Sequence, residues 1–187
     1  MQNQIKTKTR LAFIQFIFST FFCNNTIIEE TEQFQNYFYK LSVPSLEKDK
    51  NSVINFNKNY FKKLALSYID FIKNNNVDNI IDSLINFERK YKSWSKINKS
   101  IILSIFSEIE ITKKEKIKIL INDYFNISKS LITKKELGMI NAITDKYIKK
   151  PHKNRSPKPQ FPPNFRLASP ITGSVYAAII IVAIAIL

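Results

Sequence analysis

The chain has 187 residues, 29 of them Lys or Arg against 15 Asp or Glu, with one cysteine, one histidine and two glycines. One domain plus a tail is expected at this length; a lone cysteine excludes an internal disulfide, and no Cys/His cluster is present to hold zinc. The net charge of +14 favours an anionic partner, nucleic acid or acidic membrane, although the joint abundance of Ile, Lys and Asn points to an AT-rich coding sequence and accounts for part of that charge.

The first predicted helix starts near Thr7 or Thr9, either of which can cap it. Lys6, Lys8 and Arg10 lie at its N-terminal end, where the helix dipole disfavours cations by a few tenths of a kcal/mol each. Cations held there at a cost, with no packing return, suit a phosphate; ordinary solvated side chains are the alternative. Phe13, Phe16, Phe18, Phe21 and Phe22 surround almost the whole circumference. That pattern describes a central, buried helix with one or two aromatics on the surface, and a base-stacking platform is the competing reading. The apolar run Leu11 to Phe22 resembles a signal-peptide core, but Gln15, Ser19 and Thr20 interrupt it and no cleavage site follows, so it is read as a core helix. Cys23 is read as a small buried apolar residue at the helix end.

A second helix is expected over Glu29 to Leu41, with Phe34, Tyr37, Phe38 and Leu41 in phase. Ser42-Val43-Pro44-Ser45 breaks the chain, because the residue before proline avoids helical geometry, and residues 45 to 52 read as a loop. The third helix runs from about Val53 to Lys73, with Phe56, Tyr60, Leu64, Ser67 or Tyr68, and Phe71 as its stripe. After the turn at Asn74-Asn75-Asn76, a fourth covers Val77 to Lys90 with Ile80, Ile81, Leu84 and Phe87 inward. Trp94 plugs the joint with the second half.

That second half, Trp94 to Lys150, reads as three amphipathic helices. Apolar residues at 97, 101, 102, 105, 106 and 109 share one face of the first. Ile117, Leu120, Ile121, Tyr124 and Ile127 stripe the second, Glu115 to Lys129. Leu137, Ile140, Ile143 and Tyr147 stripe the third, Thr133 to Lys149. Faces of this kind bury one another in a bundle. The fold class is therefore all-α, with seven helices.

Residues 101 to 109, Ile119-Leu120-Ile121-Asn122-Asp123-Tyr124-Phe125-Asn126-Ile127-Ser128-Lys129, and Met139-Ile140-Asn141-Ala142-Ile143-Thr144-Asp145-Lys146 resemble three consecutive runs of the bacterial transcription antitermination factor NusB family. There the runs read A-I-L-R-I-A-x-Y-E-L, V-x-I-N-E-A-V-E-L-A-K and F-V-N-G-V-L-D-K. The resemblance extends weakly back to residue 6. Lys113-Lys114-Glu115 replaces an Asp-Val-Pro turn, Ala142 replaces a Gly, and Thr144 replaces a Leu.

The resemblance implies a fold of two interlocking three-helix subdomains with the first helix threaded between them, over a domain of residues 1–150. It implies a cytoplasmic, non-catalytic factor without cofactor, which binds single-stranded boxA RNA as a heterodimer with the small-subunit ribosomal protein NusE and helps RNA polymerase resist termination. Lys6, Lys8, Arg10, Gln15 and Phe18 match the family's basic, RNA-contacting start. Lys6, Lys8 and Arg10 are the candidates for phosphates, and Gln15, if exposed, for base edges. Lys99, Asn122 and Lys146 are further candidates, while Asn141 and Asp145 match the family but sit where structural roles are commoner. A NusB-like domain also precedes the catalytic domain of some RNA cytosine methyltransferases; the Gly-rich turns of such a domain are missing from this sequence.

Residues 151–166 hold most of the prolines and read as an extended basic linker, with His152 solvated in it rather than placed as a catalytic base. Residues 167–187 are a hydrophobic tail uncharged after Arg166. As a helix, residues 171–187 would span about 25 Å, short of the ~30 Å bilayer core. A membrane anchor, the start of a longer extension or a gene-calling artefact, and a segment folded back on the bundle all fit it. The first makes a membrane-tethered basic adaptor the alternative function.

Overall fold

The computed structural model describes residues 2–22, 56–85 and 89–150. They form six α-helices and one 3₁₀ turn, with no strand among the described residues. In chain order these are α1 (Gln2–Thr20), α2 (Lys58–Asn74), α3 (Val77–Asp82), the 3₁₀ turn Tyr91–Ser93, α4 (Lys96–Ile111), α5 (Lys114–Ser128) and α6 (Lys134–Lys149). The all-α expectation holds. The expected helix over residues 29–41, Cys23, the linker 151–166 and the tail 167–187 lie outside the described residues. No described helix is long and apolar enough to cross a membrane.

Two helices form the centre. In α1, Leu11, Ala12, Phe13, Ile14, Phe16 and Ile17 are all buried, which places protein on every side of that turn. Phe13 and Phe16 meet Phe61 and Tyr68 of α2 edge-on, with centroids 5.5–6.4 Å apart, the geometry that aromatic quadrupoles favour. Of the five phenylalanines in or just after α1, only Phe22 is exposed, as the circumferential pattern predicts.

Helix α4 is the second hub. Its sequence reads as a one-faced amphipathic helix, but Ser100 to Ile109 are buried without interruption, because α1, α2, α5 and α6 all pack on it. The serines buried along it are satisfied within the helix. Ser100, Ser104 and Ser107 each donate to the carbonyl four residues earlier, the usual fate of a mid-helix serine. Ser67 of α2 donates across the interface to the Ser107 carbonyl at 2.6 Å.

Element ends differ from the sequence reading where side chains take other partners. Helix α1 begins at Gln2, not at Thr7 or Thr9. Thr9 Oγ1 donates to the Ile5 carbonyl and accepts the Asn57 amide, and Thr7 Oγ1 donates to Asp123, so both hydroxyls are used inside and across the bundle. Helix α2 begins at Lys58 because Asn57 caps it, accepting from the Tyr60 amide. Helix α3 stops at Asp82, well short of Lys90. There the backbone tightens into bonds spanning three residues, and the Asp82 carboxylate accepts the Tyr91 amide at 2.8 Å. Trp94 is buried against Tyr91, as expected of a joint residue. Helix α6 is opened by a capping box in which Thr133 and Glu136 satisfy each other's backbone amides.

Candidate nucleic-acid interface

The N-terminal half of α1 is fastened to α4 and α5 by one ionic cluster. Arg10 Nε donates to both Glu108 carboxylate oxygens at 3.0 and 3.1 Å, and Nη1 donates to Asp123 at 2.5 Å. Tyr124 donates to Glu108 at 2.8 Å, Tyr60 donates to the same carboxylate, and Thr7 donates to Asp123 at 2.7 Å. Glu108 is 1% exposed and Arg10 8%. A charge buried this deeply persists only when paired and hydrogen-bonded. Burial works to lower the Arg10 pKa, but the hydrogen bonds and charge of Glu108 outweigh it and hold the guanidinium charged. Desolvation, followed by the Glu108 charge, pushes the Tyr60 and Tyr124 phenols upward, so both remain neutral donors.

Arg10 is therefore an internal strut and not a phosphate ligand. Because α1 begins at Gln2, Arg10 lies in mid-helix and not at the dipole's positive end, and its cation has a packing return from two carboxylates 98 and 113 residues away. Lys6, exposed, and Lys8, half-buried, are the cations that this strut leaves in the N-terminal half of α1.

The other sequence candidates separate in the same way. Gln15 is half-buried, and its Oε1 is shielded and makes no hydrogen bond among the described residues, so that oxygen is not offered to a base edge. Lys99 donates to the Lys92 carbonyl and lies 5.2 Å from the Tyr91 ring centre, pinning the 3₁₀ turn. Lys146 donates to the Leu84 carbonyl at 3.0 Å, closing the turn after α3. Asn122 is exposed. It neighbours Asp123, the α1 anchor, but turns to the other side of α5.

On that side α5 and α6 diverge into an open cleft. One stretch, of about 570 Å³, is lined by Asn122, Phe125, Asn126, Lys129, Lys134, Leu137, Gly138 and Asn141. It continues into a second of about 590 Å³ that shares Asn122, Phe125 and Asn141 and adds Lys114, Lys118, Asp145 and Ile148. Four lysines thus face one carboxylate. Asn141 and Asp145, expected as structural residues of a helix stripe, are exposed on its wall. Leu137, expected in the core stripe, is half-buried there. A Cβ at Gly138 would meet nothing within 4 Å.

The bundle can be compared with known proteins at this point. Over 149 residues the chain is 24% identical to the transcription antitermination protein NusB of Rickettsia massiliae, a match covering 79% of this chain and 94% of that protein. The NusB proteins of Rickettsia felis and Rickettsia typhi match at 24% and 25% over 153 residues, covering 81% of this chain and 97% of each. This chain is a distant relative of NusB. No family model and no solved structure matches it. The three NusB-like runs fall in α4, α5 and α6, the last three of the described helices.

Sequence reasoning overlooked Glu108 and Phe125, along with the cleft lysines 118, 129 and 134. Glu108 was legible as an acid inside an apolar run, a position that demands a buried cation. The cleft had no local signal, since it exists only through the divergence of two helices.

Proposed function

We propose that this chain is a non-catalytic, RNA-binding factor of transcription antitermination that engages boxA-type single-stranded RNA together with the ribosomal protein NusE. The observation that carries the reading is the likeness to proteins named for transcription antitermination over 94–97% of their length. The surface chemistry supports the choice of ligand. Single-stranded RNA is held by cations that track phosphates and by aromatic and amide groups that meet bases. A charge of +14 supplies the first, and Lys6 and Lys8 lie in the first two turns of a helix whose third cation, Arg10, is neutralised by carboxylates. Asn122 remains a base-contacting candidate in this reading. Lys99 and Lys146 are assigned supporting contacts that hold the scaffold, and Gln15, with its Oε1 shielded, is not assigned to a base edge.

The test is titration of a boxA-like RNA at several salt concentrations. Changing Lys6 and Lys8 together to Ala is expected to lower the salt slope by roughly 1.4, at about 0.7 per phosphate contact on a single strand, with Arg10 retained so that the bundle stays intact. An unchanged affinity and slope removes this assignment of the RNA-contacting end. Co-purification of the full chain with NusE tests the partner.

A further inference from the structure

We infer that the cleft between α5 and α6 is a seat for a segment of single-stranded RNA, with an unpaired base against Phe125 and the flanking phosphates on Lys118, Lys129 and Lys134. This deepens the RNA-binding reading above and rests on it. Three observations lead to it. The cleft is continuous, and its two stretches of about 570 and 590 Å³ each lie within the ~300–1,000 Å³ of sites that hold a small organic group. Its lining carries Lys114, Lys118, Lys129 and Lys134 against the single carboxylate of Asp145, a local excess that suits a polyanion. Between the cations sit Phe125, half-buried, and the exposed amides Asn122, Asn126 and Asn141. An aromatic face with adjacent amides is what a splayed base requires: a surface to stack on and donors and acceptors for its edge.

An acidic peptide would share the cations and could pair with the amides, so stacking on the Phe125 ring is what distinguishes a base from it. A duplex would present no unstacked base to Phe125. Gly138 lines the cleft and a Cβ there would meet nothing within 4 Å, so a larger side chain can be introduced at the site without a clash.

The experiment measures binding of the full chain to a boxA-like single strand, with a duplex of the same length and poly-glutamate as competitors. Two of the three variants change exposed positions, and the third alters a half-buried ring at the edge of the core. Gly138→Glu places a carboxylate in open space, Lys118/Lys129/Lys134→Ala removes three exposed cations, and Phe125→Leu keeps the apolar contact and deletes the ring. The expected results are a tenfold or greater loss for Gly138→Glu and a salt slope lower by about 2 for the triple variant. Phe125→Leu should weaken binding about fivefold or more, from lost stacking. Gly138→Ala should bind as the parent does. If the cleft variants bind as the parent does while Lys6/Lys8→Ala weakens binding, the cleft assignment fails and the RNA-binding reading stands. If poly-glutamate competes charge for charge and Phe125→Leu changes nothing, the cleft is an acidic-peptide site and the inference is overturned. Absence of RNA binding by the parent chain overturns both.

Discussion

Glu108 shows how one side chain organises the bundle. It lies in α4, is almost fully buried, and accepts hydrogen bonds from Arg10 of α1, Tyr60 of α2 and Tyr124 of α5. Removing one partner of such a buried pair leaves the other charge uncompensated, at a cost of roughly 3–5 kcal/mol. Glu108→Ala and Arg10→Ala should each lower stability by about that amount in urea denaturation. The double variant should cost clearly less than the sum, because the second change removes the stranded charge. Additive losses would mean the pair is not coupled.

The tyrosines make a separate prediction. Burial raises the phenol pKa of Tyr60, Tyr68, Tyr91, Tyr124 and Tyr147 above the ordinary 10.0. A group whose folded pKa is raised stabilises the fold fully below its unfolded pKa, and that contribution disappears as pH climbs past it. The melting temperature should therefore hold steady to about pH 10 and then fall, with tyrosinate absorbance rising in step with unfolding. Titration of these phenols in the still-folded protein would contradict their burial.

At the scale of elements, each helix owes its ends to side chains and its position to neighbours. Helix α6 is capped by Thr133 and Glu136, and the Thr133 and Asn98 hydrogen bonds hold the Glu136 carboxyl below the ordinary 4.5. That contribution is present above the unfolded pKa and is lost as pH falls through the lower, folded value. Gly138, in the same helix, sits at a position where alanine meets no atom. Helical glycine costs about 1 kcal/mol relative to alanine, so Gly138→Ala should raise stability by about 0.5–1 kcal/mol in thermal or chemical unfolding. A loss instead would show that the backbone at Gly138 is not helical.

At the scale of the molecule, α4 touches α1, α2, α5 and α6, while α1 touches α2, α4 and α5. Cooperative stability concentrates where buried contacts do. Amide exchange is expected to be slowest over residues 101–109 of α4, with protection near the global stability. It should be fastest at the outer turn of α1 and in the six-residue α3. Exchange in α4 as fast as in α3 would remove it from the centre.

Much of this was legible without coordinates. The 3.6-residue stripes of helices α4, α5 and α6 located them to within two residues at each end, because apolar periodicity is a local property of the chain. The aromatic circumference of the first helix announced a buried rod for the same reason. Two things were not legible. Arg10 read as a surface cation because its carboxylates lie 98 and 113 residues further along, and only tertiary packing brings them within reach. The cleft beside Phe125 lies between residues of two helices, α5 and α6, that only the tertiary structure brings together. Periodicity says which face of a helix turns inward; what that face meets, and where two helices leave a gap between them, follows from contacts made at long range.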